Sequence, residues 1–110
     1  MRSTARAMEQ LRKDGWQWIE VVERWNPYSR TRHDLFNLVD VLAVCSERGT
    51  LAVQACGRDF ASHRDKILRS PCSLVLVEAG WAFELWGFRK LKSGWTIRVE
   101  QFTNESEWTF

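Results

Sequence analysis

The amino-acid sequence predicts an α/β protein in which a mixed central sheet is flanked by helices. Apolar residues recur at helical spacing in two segments, and they alternate or form short β-rich runs in at least four others. The predicted order is a helix, three strands, a second helix and one or two further strands. Three strands in succession, a crossover helix and a returning strand form a mixed sheet with helices packed against it. The 110 residues suit a single domain over 1–110, because this length supports one core.

The first half of the chain supplies one helix and three strands. Ser3 or Thr4 can cap the helix, and Asp14-Gly15 ends it. Asn26-Pro27 ends the first strand and is followed by a basic loop. The predicted helix covers residues 3–14, and the predicted strands cover 16–25, the second half of 34–44 and 51–56, with a turn at 47–50 and the basic loop at 28–33.

The second half begins with a helix over about 58–69. Phe60, Ile67 and Leu68 lie on one side of it at helical spacing, and Ser70-Pro71 ends it. Residues 72–79 fit either a strand or a short helix before Gly80. Strands are predicted over 81–88 and 95–102.

Composition excludes several classes of protein. Hydrophobic residues make up 45% and charged residues 27%, which argues against intrinsic disorder. No apolar run approaches the roughly 18 residues of a membrane span, and no secretory signal follows the basic N-terminal residues. The cysteines are odd in number and lack Cys-x-x-Cys spacing, so we expect reduced thiols, no zinc site and a cytoplasmic protein.

The charge distribution allows, but does not require, a nucleic-acid partner. The net charge is only +2, yet residues 1–33 contain seven basic residues and the last eleven contain none. Arg30 and Arg32 in the basic loop can contact phosphate, or the loop can simply be solvated. The seven tryptophans favour packing in the core or on the sheet over base stacking.

A polar residue interrupts each of two neighbouring predicted strands. Asp40 lies inside the apolar run 38–42, where a carboxylate is costly unless it is hydrogen-bonded, paired or bound to a metal. Gln54 lies in the next strand and, on the same side, would add a second oxygen ligand for a hard cation. Glu9 on the first helix is a third candidate. The alternatives are local hydrogen bonds for Asp40, an outward-facing Gln54 and a solvated Glu9.

These residues carry a resemblance over about 5–90. A helix with Glu9 ends in Leu11-Arg12-Lys13-Asp14-Gly15-Trp16, Val39-Asp40 follows, and Val53-Gln54-Ala55-Cys56 comes fourteen positions later. Arg64, Lys66-Ile67 and then Trp86-Gly87-Phe88-Arg89-Lys90 complete the pattern. The chain resembles the PD-(D/E)xK nuclease superfamily, in particular small archaeal-type and phage Holliday junction resolvases. Its segment Arg32-His33-Asp34-Leu35-Phe36 is similar to one shared by a group of phage and bacterial proteins.

The resemblance implies a restriction-endonuclease-like αβββαβ core and a magnesium-dependent site, with Mn²⁺ as a substitute. Glu9, Asp40 and Gln54 would hold the metal. In this chain Gln54 replaces an acidic residue of the motif and Cys56 replaces its lysine, so Lys66 on the following helix becomes the candidate catalytic lysine. The DNA contacts would come from Arg30, Arg32, Arg58 and Arg64.

Three functions remain open at this point. The first is a structure-selective DNA endonuclease of a prokaryotic or phage-infected cell, acting as a homodimer through an exposed strand around Trp86. The second is a degenerate nuclease fold that binds nucleic acid or inhibits a protein without cutting, which the cysteine at position 56 supports. The third is an α/β interaction domain without a nucleic-acid partner, which the modest net charge supports. His33 and His63 lack metal-ligand spacing, and we expect both on the surface.

Overall fold

A computed structural model describes residues 2–110 and contains three helices and seven strands in that part of the chain. The elements are, in chain order, α1 (Ser3–Lys13), β1 (Trp18–Val21), β2 (Arg24–Asn26), β3 (Thr31–His33), β4 (Val41–Cys45), β5 (Gly49–Cys56), α2 (Phe60–Arg69), α3 (Pro71–Glu78), β6 (Ala82–Leu91) and β7 (Gly94–Phe102). The predicted α/β class is therefore confirmed.

Five of the strands form a mixed sheet in the order β1-β4-β5-β6-β7. The pairs β1–β4, β4–β5 and β6–β7 are antiparallel, whereas β5 and β6 are parallel, from Leu51 opposite Ala82 to Cys56 opposite Gly87. Helices α2 and α3 make the crossover that a parallel connection requires. The carboxyl ends of β1, β5 and β6 consequently lie at the same edge of the sheet as the beginning of β4.

The helices cover opposite faces of this sheet. On one face α1 packs Ala7 and Leu11 against β4, β5 and β6. On the other face α2 and α3 pack Ile67, Leu68 and Leu76 over the sheet. The neighbours Ala52 and Val53 of β5 belong to different clusters, because successive side chains of a strand point to opposite faces.

The predicted first strand over 16–25 is divided in the structure. Its first part forms β1, and its last residues form β2, which pairs with β3 in a separate two-stranded hairpin. The hairpin therefore contains the whole predicted basic loop over 28–33. Its turn is built by Asn26, whose side-chain oxygen accepts a hydrogen bond from the Tyr28 N–H at 2.9 Å, and by Arg30 in the left-handed conformation with φ 55.

Trp86 does not form the exposed face that the sequence suggested for a dimer. Its side chain is 5% exposed, its ring centroid lies 6.5 Å from that of Phe88, and it packs in the cluster beneath α1. The prediction was wrong because β6 is an inner strand covered by helices on both faces. Trp18 and Trp25 are the more exposed tryptophans, at 79% and 58%.

Two further predictions concern membrane-spanning helices and the state of the cysteines. No helix in residues 2–110 combines the length and the apolar character that a membrane crossing requires. Cys45, Cys56 and Cys72 are free thiols, as predicted.

Candidate metal centre

Three carboxylates meet where the small hairpin joins the main sheet. Glu23, Asp34 and Asp40 each offer an oxygen, and these oxygens lie within 4.8 Å of one another. Glu23 directly precedes β2 and Asp34 directly follows β3, so the pairing of Arg24 with His33 brings them side by side. Asp40 directly precedes β4 and belongs to the main sheet.

The backbone around Asp40 is held from both sides. The Asp40 N–H donates to the Val53 carbonyl at 2.9 Å, and the Asp40 carbonyl accepts from the Val22 N–H at 2.8 Å. Its side chain is 6% exposed, and Oδ2 accepts a hydrogen bond from the Ala55 N–H at 2.8 Å. The carboxylate is thus fixed in position before any ligand arrives.

Burial raises the pKa of Asp40 from 3.8 to about 7. The hydrogen bond from Ala55 opposes this rise in pKa, whereas the negative charge of Asp34, a hydrogen bond shared with it, and the charge of Glu23 add to it. A bound cation would act in the opposite direction, because it favours the ionised carboxylate.

Glu23 is partly neutralised by the chain itself. Its side chain accepts a hydrogen bond from the Thr4 hydroxyl at 3.0 Å and forms an ion pair with Arg32 at 2.7 Å. Arg2 lies farther away, at 3.7 Å. Arg32, predicted to contact DNA, therefore reaches the carboxylate cluster directly.

The three carboxylates can hold a metal ion. Carboxylate oxygens are the ligands that hard divalent cations prefer in proteins, and the two half-buried members leave access from solvent. Among residues 2–110, Asp40 belongs to this cluster, whereas Glu9 does not.

Gln54 and Glu9 have other partners. Gln54 is buried at 1% exposure, its Nε2 donates to the Leu38 carbonyl at 2.8 Å, and its Oε1 lies 3.2 Å from Nδ1 of His63. The exposed Glu9 forms an ion pair with Lys13 at 3.4 Å on the surface of α1. The structure therefore ties Gln54 to the loop before Asp40 and leaves Glu9 at the surface.

His63 is half-buried and has two polar partners, whereas the sequence predicted a surface residue. Its Nε2 lies 2.8 Å from a carboxylate oxygen of Asp59, and its Nδ1 reaches Gln54. Through this contact with Gln54, His63 joins α2 to β5. Lys66, one turn further along α2, is half-buried beside the buried Ile67.

The predicted DNA-binding arginines have different surroundings. Arg64 forms two hydrogen bonds from Nε to the Glu100 carboxylate, at 2.8 and 2.9 Å, so its charge is already compensated. Arg30 is exposed in the hairpin turn. Arg58 lines a cavity of about 770 Å³, which we call the basic pocket, and five of its lining residues are basic: Arg6, Arg58, Arg89, Lys90 and Arg98.

The first turns of α1 lie between the carboxylate cluster and the basic pocket. Thr4 contacts Glu23, whereas Ser3 and Arg6 line the pocket. Cys56 ends β5, and charged residues of both regions affect its pKa. Burial, followed by the negative charges of Asp59 and Asp40, raises the pKa of Cys56 to about 11, and the positive charge of Arg98 opposes this rise. At neutral pH the Cys56 thiol is therefore protonated in the metal-free protein.

Sequence reasoning missed Glu23 and Asp34 as members of the site. Glu23 lies within the predicted strand over 16–25, and Asp34 is named only as part of the segment Arg32-His33-Asp34-Leu35-Phe36. The signal that was available is the Arg-x-Asp-Leu-Phe segment, which contains Arg32 and Asp34. It does not identify Glu23 as their neighbour.

We expect the free energy of unfolding of the metal-free protein to decrease as pH rises from 5 to 8. Folded Asp40 keeps its proton up to a pKa of about 7, whereas the unfolded group loses it near 3.8, so deprotonation between these values favours unfolding. The loss is up to ~3 kcal/mol, at ~1.4 kcal/mol for each pKa unit. Urea denaturation in EDTA at several pH values measures it.

The Asp40→Asn variant is the control for this pH dependence. The difference between the wild type and the variant isolates the contribution of position 40, because all other titrating groups are common to both. Parallel curves for the two proteins between pH 5 and 8 would contradict the prediction.

The fold and the site together define an α/β protein with a three-carboxylate cluster next to a basic pocket. No known protein family, curated protein or solved structure matches the chain.

Proposed function

We propose that the protein is a metal-dependent DNA endonuclease that hydrolyses phosphodiester bonds, with Mg²⁺ or Mn²⁺ held by Glu23, Asp34 and Asp40. The observation that carries the proposal is the position of these carboxylates across the first turns of α1 from the basic pocket. A nuclease needs both parts: ligands for a cation and positive charge for the strand that it cuts.

The order and direction of the elements support a restriction-endonuclease-like core. The elements α1, β1, β4, β5, α2 and β6 follow the αβββαβ order that the sequence resemblance implies. In the sheet, β1, β5 and β6 run in one direction, and β4 and β7 run in the other. Asp40 precedes the second strand of this core and Gln54 to Cys56 end the third, which supports the motif positions that the sequence resemblance implies.

The ligand set that we propose differs from the one predicted from sequence. Asp40 is retained, and Glu23 and Asp34 take the places of Glu9 and Gln54, whose side chains are engaged elsewhere. Gln54 keeps a supporting role, because its bond to the Leu38 carbonyl fixes the loop that carries Asp40.

Glu23, Asp34 and Asp40 would hold the cation, which would supply Lewis-acid chemistry and a water of lowered pKa for phosphodiester hydrolysis. The protein residues do the rest. The three carboxylates compensate the charge of the cation, Arg32 holds Glu23 in place at 2.7 Å, and Ala55 fixes Oδ2 of Asp40. A metal also keeps Asp40 ionised at neutral pH, despite its raised pKa.

The lysine of the motif is replaced in this chain. Cys56 stands in its place as a neutral thiol, which offers no positive charge to the transition state. Lys66 stays a proposed substitute. A junction substrate and a homodimer likewise stay proposals that rest on the sequence resemblance.

Cleavage assays test the proposal. The substrates are supercoiled plasmid, a linear duplex and a synthetic four-way junction, each with Mg²⁺, Mn²⁺ or EDTA. We expect metal-dependent nicking that falls about 100-fold or more in Glu23→Gln, because one ligand charge is lost. Glu47→Gln, at an exposed turn position, is the matched control and should cut like the wild type. The absence of metal-dependent nicking on all three substrates would overturn the proposal.

The neutral thiol of Cys56 favours one alternative, a nucleic-acid-binding protein that does not cut. The same samples distinguish it from the nuclease. DNA binding with a steep dependence on salt, unaccompanied by nicking, supports the alternative. If the protein neither binds nor nicks DNA, the remaining function is an α/β interaction domain without a nucleic-acid partner.

A further inference from the structure

The basic pocket lies at the edge of the sheet where the parallel strands β5 and β6 end. Its walls come from α1, from the segment that joins β5 to α2, and from β6 and β7. Five positive side chains face a cavity of about 770 Å³, and none of its described lining residues is acidic. The edge beyond the carboxyl ends of strands is the usual binding position in open α/β sheets.

Two arginines of the pocket are held by aromatic rings. The guanidinium carbon of Arg6 lies 3.5 Å from the ring centroid of Trp95, and that of Arg98 lies 4.0 Å from the ring centroid of Phe60. Stacking occupies the flat faces of a guanidinium and leaves its N–H edges available. Both groups are therefore positioned to donate paired hydrogen bonds to an anion.

Gly87 permits this arrangement. A Cβ at position 87 would come within 2.6 Å of Cδ2 of Phe60, so a larger residue would displace the ring that supports Arg98. Gly87 lies opposite Cys56 in the pairing of β5 with β6, and both Gly87 and Gly57 line the pocket. At Gly57 and Gly87 the pocket is therefore lined by backbone instead of a side chain.

Arg6 also carries a buried donor with nothing to donate to. Within residues 2–110 no atom accepts a hydrogen bond from its buried Nε–H. Burying an unsatisfied donor costs on the order of 1–3 kcal/mol, and more when the group is charged.

We propose that the basic pocket binds adjacent phosphates of a nucleic-acid strand through Arg6, Arg58, Arg98 and Lys90, without a metal ion. Adjacent phosphates fit better than one phosphate, because five cationic side chains line a cavity of about 770 Å³, which has room for more than one phosphate group. The choice of a nucleic-acid strand over other phosphate-rich ligands rests on the proposed function. The binding itself needs neither the carboxylate cluster nor cleavage.

Fluorescence anisotropy of a labelled single-stranded oligonucleotide in EDTA tests the proposal, because no cleavage occurs without metal. The test variant is Arg58→Gln/Lys90→Gln, in which both positions are exposed and neither side chain supports the core. We expect binding about tenfold weaker than in the wild type at low salt. The slope of log K against log salt should fall by about 1.4, at roughly 0.7 for each phosphate contact on a single strand.

Arg12→Gln/Arg69→Gln is the matched control, because it removes the same charge from exposed positions outside the pocket. It should bind with nearly the slope of the wild type. Equal losses in the two double variants would overturn the proposal, since they would show that total charge alone matters. Because the measurement is made in EDTA, a failure of the proposed cleavage leaves its outcome unchanged.

Competition identifies the ligand. A second unlabelled strand should displace the oligonucleotide at concentrations where orthophosphate does not. Binding of tripolyphosphate by a protein that fails to bind the oligonucleotide would overturn the assignment to a nucleic-acid strand. Arg6→Lys, which keeps the charge and loses the forked donors, should weaken strand binding severalfold.

Discussion

The Asp40→Asn variant is expected to be more stable than the wild type in EDTA at pH 8. At this pH the wild-type carboxylate, whose pKa burial raises to about 7, is ionised next to Glu23 and Asp34. The amide is neutral and of the same size, and its oxygen can still accept the hydrogen bond from Ala55. We expect the free energy of unfolding, measured in urea, to rise by roughly 3 kcal/mol.

The same variant is expected to lose the response to divalent cations. In the wild type, Mn²⁺ or Mg²⁺ at about 100 times its Kd should add ~2.7 kcal/mol to the free energy of unfolding, because it binds the folded state. Without one of the three carboxylates most of this gain disappears. A substitution that raises stability and removes function is typical of a residue kept for its chemistry.

Asp65→Asn is the control for the measurements on Asp40→Asn. Asp65 is exposed on α2, where it pairs with Arg69 at 3.1 Å. Its replacement should change stability by no more than about 0.5 kcal/mol and leave the cation response intact. A lower stability of Asp40→Asn in EDTA, or an unchanged response to Mn²⁺, would contradict the assignment of Asp40 to the metal centre.

The anomaly at Asp40 could be recognised from sequence because it breaks a local pattern. An acidic residue in an apolar run is visible without any knowledge of the fold. The partners of Asp40 could not be found this way. Glu23 and Asp34 meet only because β2 and β3 pair in one register, and register depends on a turn and on distant neighbours.

Hydrophobic periodicity predicted the order of the main elements, but it did not decide between a strand and a helix for residues 72–79. Val75 and Val77 favour a strand by their local preference, as does Leu74 by its apolar character. The segment is helical because Pro71 begins it at the first turn and Gly80 follows it in the left-handed conformation with φ 94. Terminal signals outweighed the β preference of the residues between them.

Gln54 illustrates a different limit of sequence reasoning. The sequence allowed two alternatives, a metal ligand on the same side as Asp40 or an outward-facing amide, and in the structure the side chain is buried rather than outward-facing. The side chain points into the core, where its amide hydrogen-bonds to the Leu38 carbonyl and to His63. Such partners come from other elements, so the sequence around position 54 contains no signal for them.

The Gln54→Glu variant distinguishes the two accounts of this residue. If Gln54 were a ligand, a carboxylate there would restore the acidic residue of the motif and tighten the binding of Mn²⁺. From the structure we expect the opposite. The new carboxylate cannot donate to Leu38, faces its carbonyl oxygen in a site that is 1% exposed, and should lower the free energy of unfolding by roughly 2–4 kcal/mol at pH 8.

Gln17→Glu is the matched control. Gln17 is exposed, and its Oε1 accepts a hydrogen bond from the Ser46 N–H at 2.7 Å, which a carboxylate oxygen retains. Tighter Mn²⁺ binding by Gln54→Glu at unchanged stability would restore Gln54 as a ligand and remove the supporting role that its bond to Leu38 gives it.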